Sequence, residues 1–241
     1  MKRFGLLTMV LAVVLSGTAA WADGDFYVVA GGGRAVGTKI TSVPYTISDP
    51  GFYFLGGNLT YSGTSDAITV SADNVTIDLM GFSLRHPGPL VAGNGIRMSG
   101  RYNVEIRNGT VSGFNVGILE DNFLTGAQHR VSNVRAITNA YSIWLYGKNH
   151  LVNSCSGSYG TVGIYVTTGV ITGSVASNNS EHGIELVGAG SLIGNIANNN
   201  GSTGFLFGDT NILVDRNSAS GNGINYSAGG ASTAWGVNAG K

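Results

Sequence analysis

The stretches Gly163-Ile164-Tyr165-Val166, Gly183-Ile184-Glu185-Leu186 and Gly204-Phe205-Leu206-Phe207 repeat one pattern, with anchors 20 and 21 residues apart. Each sets a small residue before a large apolar one and then alternates. The anchor and the residue two places on therefore share one side of a strand. The pattern runs backwards through Ser142-Ile143, Gly117-Ile118, Gly95-Ile96 and Ala67-Ile68, and forwards to Gly223-Ile224. From Ile68 to Ile224 the spacings are 28, 22, 25, 21, 20, 21 and 19 residues, so the later units are regular and the earlier ones carry insertions. Inward pairs are expected at Ile68/Val70, Ile96/Met98, Ile143/Leu145, Ile164/Val166, Ile184/Leu186 and Phe205/Phe207.

A second strand follows the first at Val75 to Leu79, Val104 to Ile106, Val131 to Asn133 and Ile193 to Asn195. Gly and Asn separate the strands, and both tolerate the left-handed backbone that tight corners need. Units of about 20 residues are too short for two strands and a helix, and the Leu-x-x-Leu-x-Leu pattern of leucine-rich repeats is absent. The expected fold is all-β, a right-handed parallel β-helix of about eight coils. Asn178-Asn179, Asn198 to Asn200 and Asn217 to Asn222 are expected to stack as amide ladders between coils.

Four segments follow: a signal peptide over 1–22, an N-terminal cap with first strands over 23–65, coils over 66–225, and a C-terminal cap or tail over 226–241. Lys2 and Arg3, the apolar run Leu6 to Leu15 and Ala20-Trp21-Ala22 form the export signal, with Asp23 as the first mature residue. That run is too short to span a bilayer, and no later segment is long and apolar enough. The expected location is secreted, periplasmic or extracellular. The 241 residues include 39 Gly, only 4 Pro and 43% hydrophobic residues, which excludes disorder. Without Lys2 and Arg3, 11 of the 13 basic residues remain against 13 acidic ones, giving no electrostatic reason for a nucleic-acid partner. Cys155 is the single cysteine, so no intrachain disulfide forms, and a small buried residue is its expected role.

Three stretches carry a resemblance. Ile47 to Leu59 with Pro50-Gly51-Phe52-Tyr53-Phe54-Leu55, Ala72 to Gly81, and Asn103 to Phe114 resemble the opening coils of secreted right-handed β-helix proteins of the pectin-lyase-like superfamily. The resemblance covers roughly residues 45–224. It implies the fold but no single activity, since such proteins include lyases, glycoside hydrolases, phage spikes and surface proteins.

One place after each anchor, outward residues form a column of Thr69, Arg97, Leu119, Trp144, Tyr165, Glu185 and Leu206. Two places further on lie Ser71, Ser99, Asp121, Tyr146, Thr167, Val187 and Gly208. Trp144, Tyr146 and Tyr165, flanked by Arg97, Asp121 and Glu185, form the candidate substrate-binding surface. Sugar rings stack on aromatic faces while their hydroxyls seek polar partners. The competing reading is a satellite core under an inserted loop.

Glycoside hydrolysis requires two carboxyl groups roughly 5 to 9.5 Å apart. Asp121 and Glu185 lie three coils apart, about 14 Å, which is too far. Asp78 and Glu105 are diagonal neighbours at about 7 to 8 Å and are the catalytic candidates. Arg107 directly opposite Asp78 favours a solvated ion pair instead. Glu120 faces inward where a hydrophobe belongs, which reads as either a local bulge or a coordinating carboxylate, the bulge being preferred. His86, His129, His150 and His182 read as exposed turn residues without metal-ligand spacing. No metal or cofactor is expected: lyases of the resembled superfamily use a calcium cluster of carboxylates, and no three acids converge here. The expected function is non-catalytic contact with a polysaccharide or cell-surface glycan. A polysaccharide lyase or glycoside hydrolase is one alternative, and an oligomer-forming structural module is another.

Overall fold

The computed structural model describes residues 37–88, 93–208, 211–228 and 234–240. The expected signal peptide lies outside them, as does the stretch from Asp23 to residue 36. Every strand pairing among the described residues is parallel, and the chain winds through three faces per coil. Among the described residues no helix is long and apolar enough to cross a membrane.

The first face is a nine-stranded sheet running from Tyr45–Ile47 through Ile68–Val70, Asn94–Met98, Val116–Glu120, Tyr141–Leu145, Val162–Val166, His182–Leu186 and Thr203–Phe207 to Ile224–Ala228. Its anchors stack in one row: Tyr45, Ile68, Ile96, Ile118, Ile143, Ile164, Ile184, Phe205 and Tyr226. The last anchor is not Ile224, which pairs with Thr203 and is exposed. Tyr226 takes the place because its ring stacks on Phe205 at 5.1 Å, covering a wide apolar face that a branched aliphatic covers poorly.

The second face holds the inward row Ile77, Ile106, Val131, Val152, Ile171, Leu192 and Val214. Strict alternation puts Leu192 inside this row, and Ile193, the expected start of a strand, faces outward as the end of Gly190–Ile193. The third face carries small residues inward, Ala176, Ala197 and Ala219 in register, which lets it close tightly on the other two. These rows form one buried core along the solenoid axis. Each large aliphatic in it contributes about 1.5–3 kcal/mol. The strands Thr38–Ile40, Tyr45–Ile47, Gly51–Leu55 and Leu59–Thr60 stack in the same sheets, so they form a coil of the solenoid.

Most corners turn through a left-handed residue. Between the third and first faces these are Gly113, Thr138, Tyr159, Asn178, Asn199 and Gly221. Left-handed backbone is costly for residues with a Cβ, least so for Asn. The residue after it has left the strand, so its N–H has no partner in the ladder. A side chain from the next coil accepts it: the Asn179 N–H donates to Asn200 Oδ1 at 3.1 Å, and the Asn200 N–H to Asn222 Oδ1 at 2.8 Å. At the second-to-third corner the Ser174, Asn195 and Asn217 N–H groups donate to Asn195, Asn217 and Asn238 in turn. The amides also bond to one another, so the asparagine corners are buried ladders. Cys155 sits at the head of the second ladder, its N–H donating to Ser174 Oγ. Burial pushes its thiol up to about 11, leaving it inert.

Asn200→Ala removes the acceptor of the buried Asn179 N–H and a donor to the Ala176 carbonyl. The expected loss is about 3 kcal/mol, measured by denaturant unfolding. Asn178→Gly, at the exposed left-handed position beside it, is expected to change stability by no more than about 0.5 kcal/mol.

Candidate functional site

The outward column is assembled as the sequence places it. Thr69, Arg97, Leu119, Trp144, Tyr165, Glu185 and Leu206 are consecutive register partners on the first face. The Trp144 and Tyr165 rings stack with centroids 4.1 Å apart and planes 7° apart. Tyr146 meets both edge-on, and Tyr141 meets Trp144 edge-on at 4.8 Å. Tyr165 is 9% exposed, while Tyr141, Trp144 and Tyr146 remain half-buried. Burial, then the neighbouring Tyr146 and Glu185, pushes the Tyr165 hydroxyl up to about 12.

One face of Trp144 is covered by Tyr165, so the pair does not offer two open platforms. The other face of the indole looks toward the coil before, where the shorter Leu119 leaves a step. A cleft of about 290 Å³ opens there between Asn115, Val116 and Leu119 on one side and Tyr141, Trp144 and Tyr146 on the other. The inserted loop after Glu120 borders this cleft without roofing it. Phe123 meets Tyr146 edge-on yet is 57% exposed, and Leu124 is 81% exposed. Tyr141 was not legible as a site residue because it lies two places before the anchor, in the row of Asn94, Val116 and Val162.

At the polar end, Arg97 Nε and a terminal nitrogen bond Asp121 at 2.8 and 2.6 Å, and its other terminal nitrogen lies 3.6 Å from Asp66. Asp66 is held by Asn94. It too escapes a reading of the anchor-plus-one column, since it precedes the anchor. At the other end Glu185 has no hydrogen-bond or ion-pair partner among the described residues. Burial, and then Glu181, raise its carboxyl above the ordinary range.

Beneath the loop, Glu120 is fully buried on a strand whose register is unbroken on both sides, so the expected bulge is absent. It survives in the core because four donors surround it. The Gly100, Arg101 and Asn122 backbone N–H groups and the His129 ring donate to its two oxygens at 2.7, 3.2, 2.8 and 3.0 Å. His129 and His150 are not exposed turn residues: both are 1% exposed, and their rings stack at 5.1 Å. Each Nδ1 accepts the backbone N–H of the coil before, from Val104 and His129 respectively, which leaves Nε2 to donate, to Glu120 and to the Tyr146 carbonyl. Burial disfavours the charged form of Glu120, but the His129 bond and the backbone donors outweigh it and hold the carboxyl below its ordinary range. This network pins both ends of the loop that carries Asp121 and Phe123.

On the second face, Asp78 is 5% exposed and accepts from Arg107 Nε at 2.8 Å, from the Met80 N–H, and from the Asn108 amide. Arg107 also reaches Glu105 at 3.5 Å, so a guanidinium stands between the two candidate catalytic carboxyls. That guanidinium lies over the Phe52 ring as well. The structure thus builds the ion pair that the register implies, but with Asp78 buried beneath the Arg107 guanidinium rather than solvated. Glu105 lines a separate polar groove of about 600 Å³ with Asn74, Asn103, Gln128 and Arg130. No group of three or more metal-ligating side chains occurs among the described residues.

No protein-family model matches the chain, and no curated protein does. Among solved structures, it is similar to the enzymatically active domain of tailspike protein 2 of bacteriophage CBA120, with 14% identity and a TM-score of 0.50 over 83% of this chain and 41% of that one. The fold is the right-handed parallel β-helix. The chain spans 41% of the tailspike chain's length, and the likeness is one of fold alone. The A-module of a mannuronan C-5 epimerase of Azotobacter vinelandii matches at 13% identity and a TM-score of 0.38, over 85% of each chain.

His150 gives this β-helix an acid limit. Burial first, then His129, lowers His150 to about 4 from its ordinary 6.5. The unfolded chain therefore binds the proton more readily between these values, and stability falls as pH drops from about 6.5 to 4. Glu120, held low in the fold, adds to the loss as pH falls through its own range. The expected decline is on the order of 3 kcal/mol for His150, read from denaturation midpoints against pH. His150→Gln keeps a donor and an acceptor and is expected to flatten that slope.

Proposed function

We propose that the protein is an extracytoplasmic β-helix that contacts polysaccharide through the first face, by binding rather than cleaving it. The step between Leu119 and Trp144 carries this reading. It offers one open indole face, two tyrosine edges and a shallow cleft, with hydrogen-bonding groups beside it at Asp121 on the Leu119 coil and at Arg97 one coil further along. A pyranose ring stacked on Trp144 covers apolar surface that the chain itself leaves half-buried, and its hydroxyls reach the polar end. Asp78 and Glu105 do not support hydrolysis, because Arg107 engages both. The enzymatic reading keeps one observation, the unpartnered, half-buried Glu185 with its raised carboxyl.

The test is retention of the full-length chain on a panel of immobilised polysaccharides, with reducing ends and unsaturated products followed in parallel. Trp144→Ala is expected to weaken retention about tenfold or more while the unfolding midpoint shows an intact solenoid. Retention unchanged in that variant removes the aromatic step from the reading. Products that vanish in Glu185→Gln establish the enzymatic alternative.

A further inference from the structure

The cleft at the Leu119–Trp144 step runs parallel to the strands and therefore across the solenoid axis. Asn115, Val116 and Leu119 follow one another along one wall, and Tyr141, Trp144 and Tyr146 along the other. From Tyr141 to Tyr146 the aromatic wall advances about 16 Å at the rise of a strand. Its rings stand in series, each edge-on to the next: Tyr141 and Trp144 are 4.8 Å apart between centroids, Trp144 and Tyr146 5.8 Å. Phe123 continues the series at the corner, edge-on to Tyr146 at 6.2 Å. Asp121 follows Glu120, the register partner of Leu145, and so stands opposite Tyr146 on this path. The contact with Tyr146 leaves 57% of Phe123 exposed, although the loop that carries it is fastened. Glu120 accepts the Asn122 N–H at 2.8 Å, and Asn122 Oδ1 accepts the Leu124 and Thr125 N–H groups at 3.0 and 3.2 Å. The Gly126 N–H closes the loop on the Asn122 carbonyl at 3.2 Å. An apolar ring on a fastened loop has little freedom left to lose when a ligand covers it.

Resting on the proposed glycan contact, we infer that the polymer lies across the solenoid, parallel to the strands, and that Phe123 is a further contact subsite at the corner end of the cleft. One sugar stacks on the open face of Trp144. The chain then passes between Asp121 and Tyr146, where its hydroxyls meet the Asp121–Arg97 pair, and a later sugar lies against the Phe123 ring. The cleft is longer than a single ring, and the inserted loop borders it without roofing it, so the chain runs on into solvent past Phe123. The ligand is accordingly an internal run of several sugars in a linear polysaccharide, not a single sugar or a chain end. In this arrangement the buried Glu120 acts on the ligand only through the loop, as a positioning residue for Phe123 and Asp121.

The experiment measures the binding of linear oligosaccharides cut from cellulose, xylan, polygalacturonate and alginate, each as a dimer and as a hexamer. It uses wild type, Trp144→Ala and Phe123→Ala, with unfolding midpoints recorded for all of them. Wild type is expected to bind a hexamer about tenfold or more tightly than the matching dimer. Trp144→Ala is expected to weaken both lengths. Phe123→Ala is expected to weaken the hexamer about fivefold and to leave the dimer within about twofold of wild type, at an unchanged midpoint. A hexamer bound no more tightly than the dimer overturns the inference and leaves the glycan contact standing. So does a folded Phe123→Ala that matches wild type for the hexamer, or that loses equally for both lengths. Absence of wild-type binding to every oligosaccharide overturns the glycan contact itself.

Discussion

The backbone N–H that follows each left-handed corner residue is the constraint on which the solenoid depends. It has just left one strand and not yet joined the next, and it is buried, so it needs an acceptor from another coil. At each of the three corners a side chain of the following coil accepts this N–H in some of the coils, while backbone carbonyls accept others, as Thr168 accepts the His150 N–H. Asparagine and serine do so at two corners, and the Nδ1 atoms of His129 and His150 do so at the third. Once the corners are satisfied, the parallel ladders and apolar rows fall into register.

The same device links the core to the surface. Because His129 uses Nδ1 for the corner, its Nε2–H points at Glu120, and Glu120 in turn holds the backbone of Gly100, Arg101 and Asn122. Asp121 is therefore fixed between a buried carboxylate and the Asn122 turn, opposite Arg97. A polar row inside a hydrophobic solenoid is costly unless every partner is present, and here every partner is present. The acid sensitivity of the fold and the placement of the outer polar cluster have one origin.

Much of this was legible in the chain because the repeat is strict where the core is built. Each anchor is preceded by a small residue and followed by alternation, so the outward column from Thr69 to Leu206 could be written down before any coordinates. What escaped were residues whose role depends on a neighbouring coil. Asp66 and Tyr141 lie before their anchors and join the face only through lateral contacts. Glu120 looks like an error in the pattern until His129, nine residues later, turns back to meet it. The slip at Ile224 arose because a small residue and an isoleucine imitate the anchor motif, while ring stacking on Phe205 selects Tyr226. The histidines carry no periodicity of their own, since only two coils use them.

The fixed rise of the coil makes the outer face a ruler. Its marks are single residues, one per coil, and each can be rewritten without disturbing the apolar row behind it, because neighbours on a strand face opposite ways. Its length changes only in whole coils. Duplication of a single coil between Leu119 and Trp144 would carry the charged cluster about 4.8 Å further from the indole and leave both intact. In such an architecture the distance between two recognition groups is inherited as an integer, and the identity of each group as a letter.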